Sequence, residues 1–149
     1  MSLKDSINAD LKDAMRQKDK VKLNTIRSIR TLILEFEKSG KGNELNKEDE
    51  IKMLSTAVKK RREAIEQFEN AGRTELTDTE KQELEILLGY LPKQLSDEEI
   101  LEKVKLCATE VGATSKTDFP KIMPVVMKKL KGQADGNTIR KFVEQVLGE

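Results

Sequence analysis

Histidine and tryptophan are absent from this 149-residue sequence, and there is one cysteine. Without histidine there is no Ser-His-Asp triad, no imidazole metal ligand and no side chain that titrates unperturbed near neutrality. The lone Cys107 excludes an intramolecular disulfide and a cysteine zinc cluster. Aromatic residues make up 3% of the chain, so aromatic-rich strands are not expected and bases would find little surface to stack on. No apolar run approaches the ~18 residues of a membrane span. The opening Met1-Ser2-Leu3-Lys4-Asp5 is polar and periodic, unlike a signal peptide. These absences lead to the expectation of a cytoplasmic, reducing setting, with no membrane contact, no metal and no cofactor.

What the chain has is charge. Charged residues reach 37%, against roughly 25% in ordinary domains. Bases and acids nearly balance, 28 to 27, for a net charge of +1. Ala, Glu, Lys, Leu and Arg supply nearly half of all residues, a helix-rich composition. A chain of this length can bury roughly 70% of its unfolded surface. With so much charge, its core must be thin and aliphatic.

Apolar residues recur at spacings of three and four, which predicts helices throughout. Helix one is expected from about Ser2 to Lys18, with Leu3, Ile7, Leu11 and Ala14 on one face. Helix two runs from about Lys20 to Lys38, with Ile26, Ile29, Leu32, Ile33 and Phe36 inward. Ser39-Gly40-Lys41-Gly42-Asn43 then reads as a flexible loop. Helix three, from about Lys47 to Asn70, follows an Asn46 cap and carries Ile51, Leu54, Val58, Ile65 and Phe68. Ala71-Gly72 closes it. Helix four is expected to open at Thr77-Asp78-Thr79-Glu80, a capping-box pattern, and to bury Leu84, Leu87, Leu88 and Leu91.

Pro92 disfavours helical geometry at Leu91 and marks a boundary at about residues 92–95. A second capping box, Ser96-Asp97-Glu98-Glu99, starts helix five, from about Asp97 to Val111, with Ile100, Val104, Cys107 and Val111 inward. Helix six is expected from about Asp118 to Leu130, with Pro120 in its first turn and a kink at Pro124. Helix seven runs from about Gly136 to Leu147. The fold class is therefore all-α, with an N-terminal four-helix domain over 1–91 and a small C-terminal three-helix domain over 96–149.

The near-zero net charge hides strong patterning. Between Arg16 and Arg30 six bases face one acid, and between Lys116 and Lys141 seven face two. Lys59-Lys60-Arg61-Arg62 is a block of four bases. Between Glu63 and Glu102 twelve acids meet three bases. A local basic cluster binds phosphates whatever the total charge, because screening confines each cluster to ~8–10 Å. The competing reading is solvated helix faces laced with i,i+4 pairs. Arg27 and Arg30 lie beside Leu23 and Leu34 on a second face of helix two, where snorkelling over aliphatic neighbours is the ordinary explanation.

Arg61 falls inside the apolar arc of helix three. A guanidinium there needs a partner. Either it bridges to an acid such as Glu35, Glu83 or Glu85, or the bundle opens at that point onto a ligand. A second feature is Lys128, Lys129 and Lys131 at the end of helix six, followed by Gly132-Gln133-Ala134-Asp135-Gly136. Helix-end lysines and glycine N–H groups can hold a phosphate. An Asp135 cap on helix seven would oppose an anion there, and an ordinary helix connection explains the same residues. Gly40-Lys41-Gly42 lacks the spacing of a P-loop. Glu80, Glu83 and Glu85 read as solvated helix surface, and Cys107 as core.

Five segments then stand together: Val58-Lys59-Lys60-Arg61-Arg62-Glu63-Ala64-Ile65-Glu66-Gln67-Phe68, Ala71-Gly72-Arg73, Leu84-Glu85-Ile86-Leu87, Tyr90-Leu91-Pro92-Lys93-Gln94-Leu95-Ser96 and Lys131-Gly132-Gln133-Ala134-Asp135-Gly136. Their order and spacing resemble the GatB/YqeY family, in its stand-alone YqeY-like form, over nearly the whole chain. The resemblance implies an all-helical fold with a small C-terminal three-helix domain. It implies kinship with the tail of the B subunit of tRNA-dependent amidotransferases and with a module on some glutaminyl-tRNA synthetases, where the module serves tRNA binding. On that resemblance Lys131, Gly132 and Gln133 take a tRNA-contact role. The ATP-dependent catalytic portion of the amidotransferase has no counterpart here. A carbon–nitrogen ligase activity with glutamine as amido donor would belong to the complex, not to this chain.

The expected function is a non-catalytic tRNA-binding accessory protein. Its candidate contacts are Lys59, Lys60, Arg61, Arg62, Lys128, Lys129, Lys131, Gly132 and Gln133. The alternative is an interaction module whose acidic segment docks onto an aminoacyl-tRNA synthetase or amidotransferase subunit. An enzyme would have to work through carboxylates and lysines alone, and no such constellation is visible.

Overall fold

The computed structural model describes residues 2–40 and 45–148. Lys41, Gly42 and Asn43 of the expected loop lie outside the described residues, so that loop reading and the glycine-lysine-glycine spacing are not addressed by it. Among the described residues the protein is all-α, with seven α-helices, one 3₁₀ turn and no strand. Contacts divide it into two compact units, Met1–Leu91 and Pro92–Glu149.

In the first unit, α1 spans Leu3–Gln17 and α2 spans Lys20–Lys38. Ser2 caps α1 through its hydroxyl, which accepts from the Asp5 N–H at 3.2 Å. The turn between the helices is two residues long. Lys18 adopts the left-handed region at φ 56°, and Asp19 immediately caps α2 by accepting from the Lys22 N–H. Helix α3, Lys47–Asn70, starts with a full capping box between Asn46 and Asp49. It ends in a turn with Gly72 at φ +70°, where the Arg73 N–H reaches back to the Phe68 carbonyl.

Helix α4 spans Thr74–Leu88, so it starts three residues before the expected Thr77. The Gly72 turn leaves the Arg73 carbonyl ready to accept from the Thr77 N–H at 3.0 Å. Thr77 is buried, and its hydroxyl bonds the same carbonyl at 2.9 Å instead of capping. α1 packs on α2, α3 on α4, and α2 on α4. Ile7, Ile26, Ile29, Ile33, Leu54 and Leu87 are sealed from solvent at the centre. Each contributes about 1.5–3 kcal/mol of transfer free energy.

In the second unit, α5 spans Asp97–Val111 behind the Ser96–Glu99 capping box and stops at Gly112 in the left-handed region. A 3₁₀ turn, Lys116–Asp118, leads into α6, Phe119–Lys129, and α7 spans Gly136–Gly148. α6 runs on through Pro124. Pro124 lies near the helix start, so its missing N–H forgoes only the bond to the Pro120 carbonyl. The three helices pack on one another around Val104, Ile122, Val126, Ile139 and Val143. Cys107 is in this core. Residues 92–95 are tied to this unit: the Leu95 N–H donates to the Gln133 carbonyl at 2.9 Å, and the Gln94 side-chain amide to the Gly132 carbonyl at 2.6 Å.

Candidate nucleic-acid interface

The block of four bases is spread around α3 by the helix itself. Successive residues turn by ~100°, so four in a row cannot share one face. Lys59 and Lys60 are exposed, and Arg62 is half-buried. Among the described residues none of these three forms an ion pair, whereas Arg61 does. Its Nη1 lies 3.1 Å from Glu80 Oε2 and 3.2 Å from Glu83 Oε2, both on α4. The guanidinium is therefore held by two carboxylates across the α3–α4 hairpin, with the Arg61 side chain 28% exposed.

This pairing bears out Glu83 among the acids expected to bridge Arg61, adds Glu80, and corrects the reading of both as solvated surface. Their side chains are 18% and 13% exposed, against the free access expected of a surface acid. Burial pushes the Glu83 carboxyl above its ordinary 4.5, Arg61 pulls it back down, and the neighbouring Glu80 raises it further. A sequence signal for this existed. Glu80, Leu84 and Leu87 follow the i, i+4, i+7 spacing of one helix face, so Glu80 belongs to the inward stripe of α4. The capping-box reading hid that signal by assigning Glu80 to a helix terminus.

At the end of α6, Lys128, Lys129 and Lys131 are all exposed. The helix dipole favours cations at this end. Lys129 is occupied: its Nζ donates to Glu110 Oε2 at 2.7 Å, and that bond holds the ammonium above its ordinary pKa. Lys128 and Lys131 have no carboxylate within ion-pair distance among the described residues.

Gly132 and Gln133 build the turn that follows α6. Gly132 is buried, with φ +78°, and its carbonyl accepts from Gln94. Gln133 is half-buried, its N–H donates to the Leu130 carbonyl at 2.9 Å, and its own carbonyl accepts from Leu95. The turn's backbone thus holds the unit together and positions Lys131. Asp135 stands just before α7, where its carbonyl accepts the first helical bond from Ile139.

Basic residues that were not among the candidates are also free. Lys20, Arg27 and Arg30 on α2 are exposed and form no ion pair among the described residues, while Arg16 has only a long 4.0 Å contact to Asp13. Among the described residues no group of three or more acidic or cysteine side chains is placed to hold a metal ion. No helix there is long and apolar enough to cross a membrane.

Comparison with known proteins adds identity. Residues 4–147 match the model of the family described as Yqey-like protein. A protein from Pyrenophora tritici-repentis named altered inheritance of mitochondria protein 41, mitochondrial, is 34% identical over 95% of this chain and 79% of its own length. Proteins of the same name from Lachancea thermotolerans and Clavispora lusitaniae are 32% and 35% identical, over 71% and 75% of this chain. The chain spans 58% and 66% of those two relatives.

These names overturn the cytoplasmic expectation, since the relatives are mitochondrial by name. That expectation rested on a lone cysteine, the lack of an apolar run and an opening unlike a signal peptide, none of which tells one reducing aqueous compartment from another. By the reach of the family match and the extent of the similarity, this chain belongs to the Yqey-like protein family.

Proposed function

We propose that this chain is a non-catalytic helical protein that binds tRNA through exposed lysines and arginines and serves as an accessory to the enzymes that act on tRNA. The observation that carries this reading is the pair Lys128 and Lys131, exposed at the C-terminal end of α6 without carboxylate partners among the described residues. Lys59 and Lys60 offer a further set on α3. The likeness of Lys131-Gly132-Gln133-Ala134-Asp135 to the amidotransferase B-subunit tail supports it. In this chain Lys131 supplies the charge, and Gly132 and Gln133 supply the turn that presents it. Recognition is by shape and phosphate contact, as few aromatic side chains are present to stack on bases.

Fluorescence anisotropy with labelled bulk tRNA, across a series of salt concentrations, tests the proposal. With about four phosphates neutralised, log K falls against log salt with a slope near −3 to −4. Lys128→Glu with Lys131→Glu lowers the affinity and flattens the slope. No binding of micromolar tRNA at ~50 mM salt overturns the reading.

One observation favours a second reading. Leu76 is 42% exposed on α4, within the acidic stretch that includes Glu75 and Asp78. An exposed leucine among acids suits a basic protein partner such as a synthetase or amidotransferase subunit. Partners that stay bound in a nuclease-treated lysate favour docking, and partners lost with the nucleic acid favour tRNA.

A further inference from the structure

The α2 cations have no role in the core or in any ion pair so far described. Lys20, Arg27, Arg30 and Lys38 are all exposed. At 100° per residue they fall within an arc of ~80° on one side of α2. The remaining residues of that arc are Leu23 and Leu34, with Thr31 ~20° beyond its edge, so it holds no carboxylate. Glu37, at its edge, is taken by Lys4 of α1 at 2.7 Å. The buried side chains Ile26, Ile29 and Ile33 occupy the adjoining face, centred ~105° from the middle of the stripe. At 1.5 Å per residue the stripe is ~27 Å long, with Arg27 and Arg30 one turn apart near its middle.

We infer that this face of α2 is a docking surface for the phosphate backbone of double-stranded RNA, such as the stems of a folded RNA. This rests on the proposed tRNA-binding function and names where the first unit makes its contact. The chemistry selects among polyanions. Arginine's planar fork matches phosphate oxygens, and two arginines one turn apart can engage neighbouring phosphates. The arc presents no aromatic ring, so it offers a single strand nothing to stack on. An acidic protein helix would need a row of apolar anchors at i, i+3, i+4 and i+7. Leu34 is the only exposed large apolar residue on the stripe. Backbone contact to a rigid duplex is what remains, and it is independent of sequence.

Anisotropy with a 16-base-pair RNA duplex, with one of its strands alone and with bulk tRNA, tests this on the full chain. The variants are Arg27→Glu with Arg30→Glu and, as conservative control, Arg27→Lys with Arg30→Lys. Both sites are exposed, and far-UV circular dichroism with urea midpoints checks that the variants fold. The expected result is tighter binding of the duplex than of the strand. The glutamate pair weakens duplex binding by about tenfold or more at ~50 mM salt and reduces the salt slope by about 2, while the lysine pair keeps the slope. If the glutamate pair binds the duplex like the wild type, while Lys128→Glu with Lys131→Glu loses tRNA, the α2 surface is refuted and the tRNA reading stands. Equal binding of duplex and strand refutes the duplex assignment. A wild-type chain that binds neither duplex nor tRNA refutes both.

Discussion

Arg61 and Glu83 meet across the α3–α4 hairpin, with Nη1 3.2 Å from Oε2, and Glu80 closes on the same nitrogen from one turn away. Two carboxylates share one guanidinium. Removing the cation leaves both acids half-sequestered and repelling each other, a costlier outcome than losing one acid. Arg61→Met, which keeps the aliphatic stem, is expected to destabilise the protein by about 1–3 kcal/mol, read as a lower urea midpoint. An unchanged midpoint would mean that the pair is a solvated surface contact.

The same cluster sets a pH dependence. Burial holds the Glu83 carboxyl above its ordinary 4.5 in the folded state. The folded chain therefore binds that proton more tightly than the unfolded chain does. The resulting stabilisation is complete below 4.5 and is lost as the pH rises through the folded-state value. Glu83→Gln removes this titration and leaves Glu80 to hold Arg61. Urea midpoints taken from about pH 4 to pH 7 should show the variant gaining on the wild type as the pH rises. Parallel profiles would sink the assignment.

Helix positions were legible because caps and stripes are local. Asn46 with Asp49 and Ser96 with Glu99 form the reciprocal hydrogen bonds that their spacing advertises. Thr77 misled because its motif is equally good as a helix start and as a back-bonding threonine inside a helix already begun at the Gly72 turn. The candidate interface was less legible. A run of four bases looks concentrated in one dimension, yet helical pitch scatters it, while Lys20, Arg27 and Arg30 look dispersed and share a side. The pairing of Lys129 with Glu110 joins residues 19 apart on two helices, which spacing within either helix cannot reveal.

Tyr90 is the chain's single tyrosine, and its hydroxyl donates to the Asp10 carboxylate of α1. Burial first, and then the Asp10 bond and charge, push the phenol well above its ordinary 10.0. The neutral phenol is favoured in the folded state, so its stabilising contribution is present below 10.0 and is lost as the pH climbs through the folded-state value. In an alkaline titration the phenolate absorbance should rise together with loss of helical dichroism. Phenolate forming near its ordinary pKa in a folded chain would show that the bond is absent. Tyr90→Phe should cost about 1.5–3 kcal/mol, typical of a hydrogen bond to a charged acceptor.

The turn after α6 separates scaffold from contact. Gly132 takes φ +78°, where a side chain costs about 1–2 kcal/mol, and its buried carbonyl depends on Gln94. Gly132→Ala and Gln94→Ala should each lower the unfolding midpoint, the latter by about 1–3 kcal/mol for the orphaned carbonyl. At temperatures where the variants remain folded, their tRNA affinity should stay close to that of the wild type. Lys131→Glu should do the reverse, leaving the midpoint in place and weakening binding. A Gly132→Ala protein of unchanged stability and lost affinity would return the glycine to the contact surface.

Glu110 offers a gain-of-binding test of the same surface. Its carboxylate holds Lys129 at 2.7 Å, which sequesters one of the three lysines at the end of α6. Both partners are exposed, at 50% and 57%, so solvent screens the pair and it adds little to folding. Glu110→Gln should therefore leave stability nearly unchanged while releasing the Lys129 ammonium for a phosphate. The salt slope for tRNA should steepen by about 1. Lys129→Ala in the wild-type background should weaken binding less than Lys128→Ala does, since only the latter removes a cation that is already free. If Glu110→Gln binds tRNA no better than the wild type, the end of α6 does not touch the phosphate backbone.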